Sequence, residues 1–386
     1  MVGIDVAPDP GLTRHLVTAT AVFRDDPVVI VDLGSRGGFN AEWKAFSSGV
    51  RIYGFEPDKA ECARLNAAAK PGVTYLPWAI GARSGEATLY ETRLNASTGL
   101  YATNMDYFGR LLNRENGVVV AEHRIVVRTL ADALAEIGIG QVDFIKLDVE
   151  GAELDILRGS AAYLEAAAPL GLLSEIRFQP EINGSPVFAE LDAFLRPLGL
   201  RLYDLEYTRQ SRVALPYPSV ADYRLPTGER FFAYTKHGQI QDGNALYFRD
   251  LLIPANADAL ARMSPVRVLK LAAFYEIYSL ADCAAELIEA TRDRLEPLVD
   301  CGRLLDLLAS GVNGRATRYA DYVASYFTPS AAARSVSPAV VASLTKVARL
   351  RAMLARVRRL LRGGVTRPLC ALKRLFADPC TTDDRN

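Results

Sequence analysis

The run Asp143-Phe-Ile-Lys146-Leu-Asp148-Val-Glu150-Gly151-Ala-Glu153-Leu-Asp155-Ile-Leu-Arg158-Gly159 restricts the fold more than any other segment of the chain. Phe144 to Val149 is apolar except for Lys146 and Asp148, which the two-residue period of a strand places on one face. Glu150-Gly151 breaks the strand. From Ala152 the spacing turns helical, with Leu154 and Leu157 inward and Gly159 as a C-terminal stop. A buried strand that runs through an acidic turn into a helix is the building unit of a parallel α/β sheet. Alone, it is also what an ordinary capped crossover looks like.

The upstream run Pro27-Val-Val-Ile-Val-Asp32-Leu-Gly34-Ser35-Arg36-Gly37-Gly38 adds a binding element. Four consecutive apolar β-branched residues predict a strand buried on both faces, and the glycines allow a tight turn with close backbone approach to a ligand. The next strand, Arg51-Ile-Tyr-Gly-Phe-Glu56-Pro57-Asp58, ends in an acid twenty-four positions after Asp32. At the tip of the second strand of a doubly wound unit, such an acid accepts both hydroxyls of a ribose, each charge-assisted bond contributing about 1.5–3 kcal/mol. The glycine spacing departs from the G-x-G-x-x-G of dinucleotide sites. It puts Asp32 where it would repel a pyrophosphate but suit an ammonium or sulfonium. S-adenosylmethionine has both those cations and the ribose diol.

Taken together, Val31-Asp-Leu-Gly34, Gly54-Phe-Glu56-Pro57-Asp58, Val127-Arg-Thr-Leu-Ala-Asp132-Ala-Leu134 and Ile145-Lys-Leu-Asp148-Val-Glu150-Gly-Ala-Glu153 resemble the FkbM family of S-adenosylmethionine-dependent methyltransferases, over Val28 to Phe248. The resemblance implies a class I methyltransferase (Rossmann-like) α/β fold, with a doubly wound, mostly parallel sheet of seven strands, and O-methylation of sugars or hydroxylated natural products. One departure is Ser35-Arg36, where many members have Ala-Asn. Arg36 either alters how the cofactor carboxylate is held or projects to solvent.

The expected cofactor residues are Asp32, Gly34, Ser35, Arg36, Gly38, Glu56, Pro57, Trp78, Ala79 and Asp148. Trp78, in the exit of a strand at Tyr75-Leu-Pro-Trp78-Ala79-Ile80-Gly81, either faces the purine or belongs to the core. The small-residue stretch Asn95-Ala-Ser97-Thr98-Gly99-Leu100 reads as a loop over the cofactor or as a simple polar turn. Methyl transfer to a hydroxyl needs a proton acceptor, and the candidates are Asp148, Glu150, Glu175 and His123. Glu175 also matches an acid common in the family. Glu150 has a plain structural role as well, as an acid favoured by a helix N-terminus. Carboxylates converging on one crevice suit a divalent metal or raise one another's pKa; no metal ligand is assigned. Lys146 is expected to pair with an acid rather than act as a nucleophile.

Three regions are expected: a methyltransferase domain over residues 1–250, a helical appendage over 251–333 and a basic amphipathic tail over 334–386. Phe231-Phe-Ala-Tyr-Thr235 reads as the last sheet strand. Twelve of the 45 basic residues and three of the 45 acids lie from Arg334 onward, so a neutral chain divides into a body of −9 and a tail of +9. Val347, Leu350, Leu354, Val357 and Leu361 recur at helical spacing among those cations. A peripheral contact of residues 344–376 with an anionic membrane competes with docking on the acidic body or on a second copy. Nucleic acid is not an expected partner, because the charge is confined to one segment with few aromatics. Five cysteines without C-x-x-C spacing and no basic, apolar leader point to the cytoplasm. The functional expectation is a methyltransferase acting on a hydroxyl of a small-molecule, saccharide or glycolipid acceptor. Its rivals are a cofactor-binding scaffold without turnover and an NAD-dependent sugar oxidoreductase.

Overall fold

The computed structural model describes residues 3–220, 222–224, 230–232 and 234–327. Its strands, in chain order, are Val28–Leu33 (β1), Val50–Phe55 (β2), Val73–Leu76 (β3), Ala79–Ile80 (β4), Gly85–Thr92 (β5), Val119–Arg128 (β6), Phe144–Leu147 (β7), Gly171–Arg177 (β8), Leu200–Gln210 (β9), Asp222–Arg224 (β10), Arg230–Phe232 (β11) and Gln239–Arg249 (β12). Seven of them form one sheet in the order β3-β2-β1-β7-β8-β12-β9. The pairs from β3 to β8 are parallel, and β12 runs antiparallel between β8 and β9. This is the class I methyltransferase sheet. Its order reverses at β1, so the ligand crevice lies outside the carboxyl ends of β1 and β7.

Alternation along β1 divides the apolar residues between two cores. Val28 and Ile30 face one side with Phe144 and Phe248, while Val31 and Leu33 face the other with Ile145 and Leu147. On the second side lie helices Leu130–Glu136, Glu153–Gly159 and Phe188–Leu195. The first is covered by helices Gly11–Thr18, Pro265–Ile277, Ala281–Leu295 and Cys301–Asn313. Pro265–Ile277 starts well: Ser264 accepts from the Arg267 amide, and proline occupies the first turn. Phe274 stacks on Phe144 at a centroid distance of 4.9 Å. Lys270, almost fully buried in the same helix, is neutralised by Asp143 at 3.0 Å and Asp26 at 2.6 Å.

The helices Pro265–Ile277, Ala281–Leu295 and Cys301–Asn313 therefore complete one face of the sheet, and the compact unit that holds them runs to Tyr319. The boundary expected at 250 is not a boundary in the packing. A second difference concerns the last strand. Arg230–Phe232 pairs with Asp222–Arg224 in a separate hairpin, and the sheet's last strand in chain order is instead β12. The first half of β12 is polar, Gln239-Ile-Gln-Asp-Gly-Asn, which conceals it beside the apolar Phe231-Phe-Ala-Tyr. A three-stranded sheet of β4, β6 and β5 stands beside the main one. Among the described residues no helix is long and apolar enough to cross a membrane. The basic segment 344–376 lies outside the described residues.

Candidate functional site

The turn after β1 is shaped by its contact with the turn after β7. Gly34 has φ +79°, and a Cβ there would lie 1.8 Å from the Asp148 carbonyl oxygen, so only glycine fits. The amides of Gly34 and Ser35 both donate to the Phe55 carbonyl, at 3.1 and 3.2 Å, and Gly38 donates to the Ser35 carbonyl at 2.9 Å. Ser35 and Gly38 hold the turn in shape.

Arg36 is exposed and pairs with two acids. Its guanidinium lies 3.0 Å from Asp58 and 3.7 Å from Glu56, the acids at the tip of β2. Glu56 is nearly buried. One of its oxygens accepts from the Asp58 amide at 2.9 Å. Burial raises its pKa, opposed by that hydrogen bond and by Arg36.

A cavity of about 570 Å³ opens above these turns. Gly34, Arg36, Glu56, Pro57, Trp78, Ala79 and Asp148 line it, together with Leu89, Glu91, His123 and Ile125 from the β5–β6 hairpin. Trp78 shares its ring with the Arg128 guanidinium, 4.1 Å from the centroid, and sits 6.2 Å from Phe55. Asp32, Ser35 and Gly38 do not line the cavity. The strand register sets Asp32 beside Lys146. There Asp32 is fully buried, with one oxygen 3.2 Å from the Lys146 ammonium and the other without a partner. Burial, partly offset by Lys146, pushes its pKa up to about 6. Asp32 thus faces a lysine and does not reach the cavity lining. Lys146 also reaches Asp148 at 3.3 Å, the acid pairing expected of it.

A second cavity, of about 500 Å³, adjoins the first. Ala96 and Glu150 line both. Ala96 belongs to the loop at 95–100, most of which borders the first cavity. Glu150 adopts φ +59°, a conformation that costs a non-glycine residue about 1–3 kcal/mol. Glu153 supports this bend, since one of its oxygens accepts from the amides of Val149 and Gly151 at 3.0 and 3.1 Å.

The centre of the second cavity is Arg177, 6% exposed. It donates to Glu150 at 2.7 Å and to Glu175 at 3.2 Å, and Glu153 lies at 3.9 Å. Burial outweighs the guanidinium for both acids, raising Glu150 to about 8 and Glu175 well above the carboxylate range. Oxygens of Asp148, Glu150 and Glu175 lie within 4.8 Å of one another. They form a set of oxygen donors fit for a divalent cation, which would compete with Arg177 for two of them. Of the four base candidates, Asp148 and His123 border the first cavity, Glu175 the second and Glu150 both. His123 is half exposed and lies 2.6 Å from Glu91.

Sequence reasoning did not single out Glu181, Gln210 or Asp242, which also line the second cavity. Glu181 comes from a loop and the other two from antiparallel strands, where no local spacing marks a site.

Residues 37–202 match the model of the methyltransferase FkbM domain. A comparison with curated proteins gives no match. Among solved structures, the chain is similar to the magnesium protoporphyrin IX methyltransferase of Synechocystis PCC 6803 with bound SAM, at 10% identity and TM-score 0.27, covering 62% of this chain and 80% of that one. It is similar to the 1,6-didemethyltoxoflavin-N1-methyltransferase of Burkholderia thailandensis, at 12% identity and TM-score 0.27, covering 63% and 80%. The precorrin-6y C5,15-methyltransferase of Geobacter metallireducens GS-15 is at 10% identity and TM-score 0.28, covering 64% and 98%. Likenesses this low carry no weight beside the strand order and the family match.

Proposed function

Residues 37–202 belong to the FkbM methyltransferase family, and on that premise we propose that the chain transfers a methyl group from S-adenosylmethionine to a hydroxyl of a saccharide or related acceptor. The observation that carries this reading is Glu150, the carboxyl that lines both cavities. The first cavity has the size and mixed lining of a small-molecule site. Glu56 at the tip of β2 is the acceptor for a ribose diol, and Trp78 and Ala79 border the space for a purine. When bound there, the cofactor supplies an electrophilic methyl group on a sulfonium.

The chain's own part is positioning and proton transfer. A hydroxyl held in the second cavity would approach the junction, where the hydroxyl oxygen would receive the cofactor's methyl group at the expense of the C–S bond. Its proton passes to the Glu150 carboxylate. Arg177 holds that carboxylate in place and favours its ionised form. Burial favours the protonated form, so the group is balanced between states as a general base requires. The loop at 95–100 contributes to both cavities and would help exclude water from the transfer.

Incubation with S-adenosylmethionine carrying a labelled methyl group and a panel of saccharides tests the reading. Label should pass to an acceptor, and Glu150→Gln should lose transfer while still binding S-adenosylhomocysteine. Binding without transfer to any hydroxylated acceptor would favour a scaffold.

A further inference from the structure

The second cavity is charged in a lopsided way. Four carboxyl groups line it, those of Glu150, Glu175, Glu181 and Asp242, against the single guanidinium of Arg177. Arg177 is already committed to Glu150 and Glu175, which, among the described residues, leaves Glu181 and Asp242 without a cation in hydrogen-bond contact. Glu181 is 5% exposed, and its Oε1 is buried without a partner. Gln210 is 6% exposed, and its Oε1 is likewise unpartnered, while its Nε2 donates to Asp242 at 3.4 Å. That bond fixes the amide so that its oxygen is the free end. Among the described lining side chains, the buried atoms without a partner are three acceptors, on Asn113, Glu181 and Gln210, and one donor, on Asn116.

Buried acceptors left unpaired each cost about 1–3 kcal/mol, so an acceptor-rich pocket fits a ligand rich in donors. A neutral sugar hydroxyl donates once and also brings two lone pairs. An alkylammonium brings three donors, no acceptor and the missing positive charge. Until such a group arrives, Glu181 is driven to hold a proton, its pKa pushed up to about 8 by burial and by the neighbouring Asp242 against the more distant charges of Arg177 and Arg212.

We propose that the methyl acceptor carries a protonated amino group seated against Glu181, Asp242 and the Gln210 amide oxygen, so that the substrate class is an amine-bearing saccharide. This rests on the reading that the second cavity takes the acceptor. The amine is recognised at these three residues, and the hydroxyl to be methylated is the part of the molecule that meets Glu150.

Saturation-transfer NMR on the full chain, with ethanolammonium and ethylene glycol as minimal probes, tests the assignment. Both molecules are small enough to enter whatever the acceptor's shape. Ethanolammonium should bind and ethylene glycol should not, and Glu181→Gln and Asp242→Asn should each weaken ethanolammonium about tenfold or more. Both changes are near-isosteric, and thermal melting would verify folding. Equal binding of the two probes, or ethanolammonium binding unchanged in both folded variants, would overturn the proposal. S-adenosylhomocysteine titrated in parallel separates the two readings: its failure to bind counts against the methyltransferase cavity, whereas loss of the ammonium preference counts against the amine subsite alone.

Discussion

The Nη2 of Arg177 lies 2.7 Å from Oε2 of Glu150, and this contact ties a lining residue of the second cavity to the carboxyl group that lines both. Glu150 sits on the bend after β7 and Arg177 at the end of β8, so two adjacent parallel strands fix the pair. Arg177→Met removes the guanidinium from among Glu150, Glu153 and Glu175. Leaving buried carboxylates without their partner costs about 3–5 kcal/mol. Urea unfolding should show a loss of that size. An unchanged midpoint would mean that the acids are solvated.

The turn after β1 makes a second prediction. Gly34→Ala forces a side chain against the Asp148 carbonyl in a left-handed conformation. Folding stability should fall by about 3 kcal/mol or more, and cofactor binding should fall with it. A thermal melt indistinguishable from wild type would contradict the turn geometry.

Folding stability should depend on pH through Glu181, whose pKa is raised from 4.5 to about 8 by burial and Asp242. The native protein keeps a proton that the unfolded chain has already released. Its stabilising contribution is full below about pH 4.5 and is lost as the pH rises to about 8. Unfolding free energies should decline across that window, to which the raised Asp32 and Glu150 also contribute, and Glu181→Gln should make the decline shallower. Parallel slopes for the two proteins would place the titrating group elsewhere.

The helices after residue 250 should be indispensable for folding. Phe274 contacts Phe144, and Glu276 accepts hydrogen bonds from the amides of Leu12 and Thr13 at 2.8 and 2.7 Å, joining the N-terminal helix to Pro265–Ile277. Phe274→Ala should cost about 3–5 kcal/mol. Ending the chain after Asp250 should give protein without a cooperative melt. A cooperative melt from that shortened chain would restore the boundary expected from the sequence.

The residues that announce themselves in the sequence are those on locally regular elements. The unbroken β-branched run of β1, the acid at the tip of β2 and the acidic turn after β7 each follow from a spacing of two or from a glycine. The burial of Asp32 against Lys146 is not legible, because the sequence does not say that the two stand opposite each other in register. The helices at 265–313 read as an appendage because alanine- and leucine-rich periodicity looks the same whether a helix covers a sheet or stands apart. Glu181 and Asp242 converge only through tertiary structure, sixty-one residues apart in sequence. No window of the chain contains both.

The central claim is that the first cavity holds an adenosyl cofactor by its ribose on Glu56. Calorimetric titration of the protein with S-adenosylmethionine, S-adenosylhomocysteine and NAD, repeated on Glu56→Ala, tests it most directly. The predicted result is binding of the two adenosyl-sulfur ligands but not of NAD, weakened about a hundredfold or more by the substitution. Failure of both adenosyl ligands to bind folded protein, or affinity indifferent to Glu56→Ala, would contradict it.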